Sequence, residues 1–142
     1  MDAYHYLIQN WGNQLEFVEE VNVLFLNNAH HVLGIFNASK GGKRQAVVDC
    51  QVIFAAALKA NATGIIVSHN HPSGRLKPSQ EDIQCTEKLQ SGAEVLGLTM
   101  MDHLIVTRSG YFSFIDECLL SIDSPTDNSN SSLVQGEEDI SD

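Results

Sequence analysis

The chain has 142 residues, 43% of them hydrophobic and 18% charged, and its formal net charge at pH 7 is −10. This length fits one domain with a core of its own, and no apolar run approaches the roughly 20 residues that span a membrane. The N-terminal segment lacks the basic start and the apolar stretch of a signal peptide, so a cytoplasmic location is expected.

The negative charge is unevenly distributed. Six of the eighteen acids lie from Ser121 onward, where the sequence has no Lys or Arg. The rest of the chain carries twelve acids against eight bases, about −4, and offers no basic surface for nucleic acid. We therefore predict one domain at 1–120 and an acidic disordered tail at 121–142. Lys40, Lys43 and Arg44 form one small basic cluster, which is most simply a solvated loop.

The apolar pattern of the first sixty residues predicts two helices that flank two strands. The strands are rich in Val, Leu, Ile and Phe, and the residues Asn-Ala-His between them form a turn. In chain order these elements are a helix over 3–11 capped by Asp2, a strand over 20–27, its antiparallel partner over 31–39, and a helix over 50–61 capped by Asp49.

The following sixty residues repeat the alternation of strand and helix. They contain a buried strand over 64–70, a helix that begins after Ser79 and runs to about Gly97, a strand over 98–107, and a short strand over 111–114. Strands that alternate with helices in this way predict an α/β fold, in which a mixed sheet carries helices on its faces.

Two histidines at the end of the 64–70 strand are candidate metal ligands. His69 and His71 are two residues apart, so in extended backbone their side chains project to the same side. Pro72 favours extended geometry at His71. The carboxyl end of such a strand is also where open α/β sheets place their sites. Two histidines with this spacing are nevertheless often structural, so the pair needs a third group.

The start of the next helix supplies that group. Ser79 is a natural N-cap, and Asp82 three residues later lies in the first helical turn, where the helix dipole favours a carboxylate. Two imidazoles and one carboxylate, with a fourth position open to water, form a catalytic rather than a structural zinc shell. Ser-x-x-Asp alone is usually only a helix cap, and the combination is what indicates a metal site.

These residues resemble a known family. The spacing H-x-H-x7-S-x2-D is that of JAMM metalloproteases, and HNHPSG at 69–74, KPSQED at 77–82 and DHLIVT at 102–107 resemble RadC proteins, in particular short forms without a helix-hairpin-helix segment. The resemblance covers roughly residues 15–120. It implies a three-layer α/β/α sandwich of the JAB/MPN type, similar to cytidine deaminases. It also implies a Zn²⁺ ion held by His69, His71 and Asp82, with Ser79 as a donor to the oxyanion.

The sequence departs from the family at one catalytic position. JAMM enzymes use an upstream glutamate as general base, and in RadC-like sequences the expected segment corresponds here to GIFNASKGG at 34–42. Asn37 occupies the place expected for the glutamate. An amide only hydrogen-bonds, whereas a carboxylate also takes and returns a proton. This interpretation predicts that metal binding is retained and that hydrolysis is impaired.

Other residues remain as alternatives at the site. Glu16, Glu19 and Glu20 lie before or at the start of the 20–27 strand, and Glu20 could replace the missing base across the hairpin. His103 is either a support for the site or a histidine of the core.

Two functions from different classes follow from these residues. The first is a JAMM-type zinc hydrolase that cuts peptide or isopeptide bonds in a peptide or protein substrate. The second is a metal-binding regulatory or interaction module without turnover. A role in DNA repair, also associated with the RadC name, has no support in the acidic charge. A dimer through an exposed edge strand, at 20–27 or 98–107, is a further open alternative.

Overall fold

A computed structural model describes residues 2–41 and 48–121. Every predicted element is present, with its bounds within two residues of the expected ones. The elements are α1 (Ala3–Asn10), β1 (Glu20–Leu26), β2 (Val32–Lys40), α2 (Cys50–Lys59), β3 (Gly64–Asn70), α3 (Gln80–Val95), β4 (Thr99–Thr107) and β5 (Gly110–Ser113).

The helices begin at the polar residues that the sequence predicts. Asp2 accepts a hydrogen bond from the backbone N–H of His5 at α1, and Asp49 accepts from Gln51 and Val52 at α2. Such caps satisfy backbone donors that the first helical turn leaves without partners. Just after the C-terminal end of α3, Gly97 adopts a φ of +75°, a left-handed conformation that glycine adopts at no steric cost.

The five strands form one mixed sheet in the order β2-β1-β3-β4-β5. The prediction of an edge at 20–27 or 98–107 is wrong, because β1 and β4 each pair on both sides and β2 and β5 form the edges. The central pair β3 and β4 is parallel, and α3 makes the crossover between them. The pairs β1/β2, β1/β3 and β4/β5 are antiparallel. The α/β fold with a mixed sheet is therefore confirmed.

Each face of the sheet buries its own apolar cluster. Strand alternation sends Val21, Val67, His69 and His103 to one face, because Val21 pairs with His69 and Val67 pairs with His103. The helices α2 and α3 cover this face and contribute Ile53, Phe54, Ala57, Leu89 and Ala93 to its core. Helix α1 covers the opposite face with Leu7, against Leu24, Leu104 and Val106.

Two predictions fall outside the described residues. Residues 122–142 of the tail predicted at 121–142, and Lys43 and Arg44 of the basic cluster, lie outside the described ranges. Within the described part of the chain, the longest helix, α3, has 16 residues, and no helix has both the length and the apolar character needed to cross a bilayer.

Candidate metal centre

The two candidate histidine ligands lie together where β3 ends. His69 is nearly buried and His71 is partly exposed. Their Nε2 atoms are 3.0 Å apart and their ring centroids 4.9 Å apart. The predicted convergence of the two imidazoles is thus present in the structure.

Asp82 reaches the same point from the first turn of α3. The Ser79 hydroxyl accepts from the Asp82 backbone N–H at 3.0 Å, and Asp82 Oδ2 accepts from the Ser79 N–H at 2.9 Å, which completes a capping box. Its carboxylate oxygens lie 3.3 Å from His69 Nε2 and 3.2 Å from His71 Nε2. The helix cap therefore also fixes the carboxylate beside both imidazoles.

A second carboxylate joins this group from the segment that precedes β1. One oxygen of Glu19 and one nitrogen each of His69 and His71 all lie within 4.8 Å of one another. Glu19 is partly buried, and this burial raises the pKa of its carboxyl, against the lowering effect of the two histidines. Four acid and base groups from three separate segments thus meet at one end of the sheet.

A chain of buried hydrogen bonds determines which nitrogen of His69 carries its proton. The Thr86 hydroxyl donates to the Asp82 carbonyl at 2.8 Å, so towards His103 Nδ1, at 2.5 Å, it acts as the acceptor. His103 Nδ1 then carries the proton, and its bare Nε2 accepts from His69 Nδ1 at 2.9 Å. His69 is left with an unprotonated Nε2 that faces His71 and Asp82.

His103 is held in this chain as a neutral ring. Burial lowers its pKa well below the usual value, and the neighbouring His69 lowers it further. Its ring stacks on Phe114 with centroids 4.6 Å apart. His103 is therefore both a buried core residue and a hydrogen-bond partner of His69.

The loop after β3 fixes the tautomer of His71 in the way that His103 fixes that of His69. His71 Nδ1 lies 2.8 Å from the carbonyl oxygen of Arg75, which can only accept, so Nδ1 carries the proton. Both Nε2 atoms are therefore lone-pair donors that point at each other. When His71 is protonated at Nε2 as well, it donates to Asp82, and this hydrogen bond raises the pKa of His71, against the opposing effect of burial.

The donor atoms fit a divalent cation. Burial would raise the pKa of Asp82, but the hydrogen bonds that His69 and His71 donate when their Nε2 atoms are protonated hold it well below its usual range, so the carboxylate is charged. Two bare nitrogens and a charged oxygen repel one another unless a proton or a cation lies among them. Separations of 3.0–3.3 Å match the roughly 3.3 Å between ligands of a tetrahedral zinc ion with bonds of about 2.0 Å.

Asn37 does not lie at this site. It pairs with Asn22 in β1, and Asn22 pairs with Ser68 in β3, so these side chains project from the face opposite to His69. The Asn37 amide donates to Glu20 at 3.0 Å and to Asn22 at 2.9 Å. Glu20, the alternative base, is buried on that other face and contacts the exposed Asn37 there.

The site opens into a cleft of about 360 Å³ between the sheet, α2 and α3. Glu19, His69 and Asp82 lie in its wall, together with Val21 and the thiols of Cys50 and Cys85. This volume lies in the lower part of the range that small-molecule pockets have. The cleft is large enough for a few atoms around a scissile bond.

Sequence reasoning missed the contributions of three residues. Glu19 was named only as one of several nearby acids, and neither Thr86 nor Asn70 was considered. Extending the alternation of β1 by one residue pair would have indicated Glu19, because Val21 is two residues away and faces His69. The spacing from Asp82 to Thr86 is one helical turn, which places both on one face of α3.

Comparison with protein families gives a match over most of the chain. A family model described as "RadC-like JAB domain" matches residues 1–119. A protein named "UPF0758 protein" from Flavobacterium johnsoniae is 48% identical over 99 residues, which are 70% of this chain and 43% of that protein.

Two further relatives carry the same name and come from other bacteria. The protein of Carboxydothermus hydrogenoformans is 37% identical over 118 residues, 83% of this chain and 51% of that protein. That of Haemophilus ducreyi is 39% identical over 115 residues, 80% of this chain and 52% of that protein. The chain thus spans about half the length of the curated relatives that it matches.

Proposed function

Because the chain belongs to the RadC-like JAB family and has the fold of JAMM-type metal-binding hydrolases, we propose that it is a zinc-dependent hydrolase of peptide or isopeptide bonds. The observation that carries this proposal is the position of Glu19, which has a carboxylate oxygen within 4.8 Å of one ring nitrogen of His69 and one of His71. An acid at that place supplies the general base that a hydrolase needs.

The proposed roles divide among residues of this chain. His69, His71 and Asp82 would hold the Zn²⁺ ion through the donor atoms that lie 3.0–3.3 Å apart. When bound, the ion polarises the scissile carbonyl and lowers the pKa of water. His103 and Thr86 keep the Nε2 lone pair of His69 directed into the site.

Glu19 would take the proton of the attacking water and return it to the leaving amine. A carboxylate performs both transfers, which the amide of Asn37 cannot do. Burial raises the pKa of Glu19, which brings its proton affinity closer to that needed near neutral pH. We therefore place the base at Glu19 rather than at position 37, and this removes the reason to expect impaired turnover.

Ser79 keeps its proposed role beside the reacting oxygen. Its hydroxyl oxygen accepts from the Asp82 N–H, and this use of the oxygen leaves the hydroxyl proton free to donate. A donor at this place would stabilise the negative charge that develops on the carbonyl oxygen.

The test compares two adjacent glutamates that face opposite sides of the sheet. The zinc-loaded native chain, Glu19→Gln and Glu20→Gln would be assayed against a fluorescence-quenched peptide library and against a lysine ε-linked isopeptide. We expect Glu19→Gln to lose about 10²–10⁴-fold in kcat with zinc content unchanged. Glu20→Gln should stay within a few-fold of native, since its side chain contacts Asn37 and not the site. Equal activity of Glu19→Gln and native would remove Glu19 as the base.

The regulatory module remains the second candidate, because the donor set alone only requires metal binding. Hydrolysis by the native chain separates the two. If the native chain binds zinc and hydrolyses none of the probes, it is a metal-binding module without turnover. Activity of the native chain that disappears in Glu19→Gln excludes that module.

A further inference from the structure

The residue between the two histidines is engaged on the opposite face of β3. Asn70 is completely buried, with an exposed fraction of 0%. Its Oδ1 accepts from the Glu20 backbone N–H at 2.7 Å, and its Nδ2 donates to the carbonyls of Leu15 and Val18 at 2.6 and 2.8 Å. One side chain thus makes three short hydrogen bonds to backbone of the segment before β1.

The partners of Asn70 require an amide in one orientation. Two carbonyl oxygens need donors and one N–H needs an acceptor, and only the carboxamide offers both from a single planar group of this length. An aspartate would place an anionic oxygen against two carbonyls, and a serine is shorter and has one donor. Buried backbone groups left without partners cost about 1–3 kcal/mol each.

These hydrogen bonds bracket Glu19. The Val18 carbonyl lies immediately before Glu19 and the Glu20 N–H immediately after it, and the Glu19 carbonyl itself accepts from the Gly41 N–H at 2.8 Å. Between α1 and β1 the chain forms turns and bends, without a helix or a strand. Asn70 therefore provides the side-chain link that ties this segment to the end of β3.

We propose that Asn70 is a positioning residue that holds the Glu19 carboxylate beside His69 and His71. Strand alternation lets one strand end perform two tasks, because His69 projects to the site while Asn70 projects to the other face and fastens the backbone around Glu19. This inference rests on the proposed role of Glu19 as the general base.

The test compares Asn70→Ala with Asn22→Ala in the full-length, zinc-loaded chain. Asn22 is a matched control, because it is also buried, lies on the same face, and accepts from Asn37 rather than contacting the segment around Glu19. For Asn70→Ala we expect kcat to fall at least 10-fold, with KM and the zinc Kd within about threefold of native. Asn22→Ala should retain native kcat even where it loses comparable thermal stability.

Amide hydrogen exchange provides a readout that does not require turnover. In Asn70→Ala the Glu20 N–H loses its acceptor, so its exchange should accelerate at least 10-fold while the buried strand amides of Val67 and Ile105 stay at native rates. In Asn22→Ala the Glu20 rate should be unchanged.

Several results would overturn the inference. The first is a native kcat in Asn70→Ala, and the second is an equal loss of kcat in Asn22→Ala. The third is weaker zinc binding by Asn70→Ala, which would place the effect on the histidines. The fourth is an unchanged exchange rate of the Glu20 N–H in Asn70→Ala. If the native chain hydrolyses none of the probes, the proposed function fails. Faster exchange at Glu20 would then still support the positioning of Glu19 by Asn70.

Discussion

Thr86 contributes a single hydroxyl, yet that hydroxyl sets the protonation of two histidine rings. Because it donates to the Asp82 carbonyl, it accepts from His103, and the orientation passes on to His69. The same hydroxyl joins the backbone of the candidate ligand Asp82 to His103, the ring that contacts the candidate ligand His69. Second-layer hydrogen bonds of this kind commonly change metal affinity by 10–100-fold when removed.

We therefore predict that Thr86→Val weakens zinc binding by about 10–100-fold, while Thr86→Ser retains native affinity. Valine keeps the shape but frees His103 Nδ1, so His69 loses its fixed tautomer. Competition with a chromophoric chelator measures the Kd. Thr107→Val is the matched control, since Thr107 is also buried but hydrogen-bonds Ser109 and Gly110 beyond the site. Equal affinities in native and Thr86→Val would show that the hydroxyl plays no part.

At the residue scale, local sequence signals bring the candidate ligands together but do not reach the proposed base. His69, His71, Ser79 and Asp82 lie within fourteen positions, and local rules of strand alternation and helix capping place them without knowledge of the fold. Glu19 lies fifty positions before His69, and its place depends on the register of β1 against β3 and on Asn70. Local spacing alone does not provide either of these.

The contact between α2 and α3 shows how closely the helices pack over the site-bearing face. A Cβ atom at Gly92 in α3 would lie 2.6 Å from Phe54 Cε2 and 3.0 Å from Cζ in α2. Glycine within a helix costs about 0.5–1 kcal/mol relative to alanine, so its presence here is explained by the close approach of the ring.

We predict that Gly92→Ala destabilises the protein by about 1 kcal/mol, because the overlap with Phe54 outweighs the gain in helix propensity. In a Phe54→Leu background the ring is absent, and the same change should be neutral or stabilising by up to about 1 kcal/mol. Urea denaturation of the four proteins in this double-mutant cycle measures the coupling. An identical effect of Gly92→Ala in both backgrounds would contradict the packing described here.

At the scale of elements, the sequence predicted nearly all of the fold. Caps at Asp2, Asp49 and Ser79 and the periodicity of apolar residues are local signals, and each element is present within two residues of its expected bounds. The order of the strands was not predicted. It brings β1 between β2 and β3, and the registers of these two pairs turn Asn37 away from His69.

At the scale of the described molecule, the candidate site lies at one end of the sheet. The site draws on the segment before β1, the end of β3, the start of α3 and the buried ring of His103 in β4. Parallel pairing of β3 with β4 and antiparallel pairing of β3 with β1 bring these segments together. A cation bound by groups from separate elements would also stabilise the folded chain, by about 2.7 kcal/mol at a concentration of 100 times its Kd.

The central claim is that His69, His71 and Asp82 bind one divalent ion, and anomalous diffraction at the zinc absorption edge tests it most directly. Crystals of the full chain grown with one equivalent of zinc should give a single strong peak about 2.0–2.2 Å from His69 Nε2, His71 Nε2 and an Asp82 oxygen. A zinc peak elsewhere, or the three side chains with no peak among them, would contradict the account.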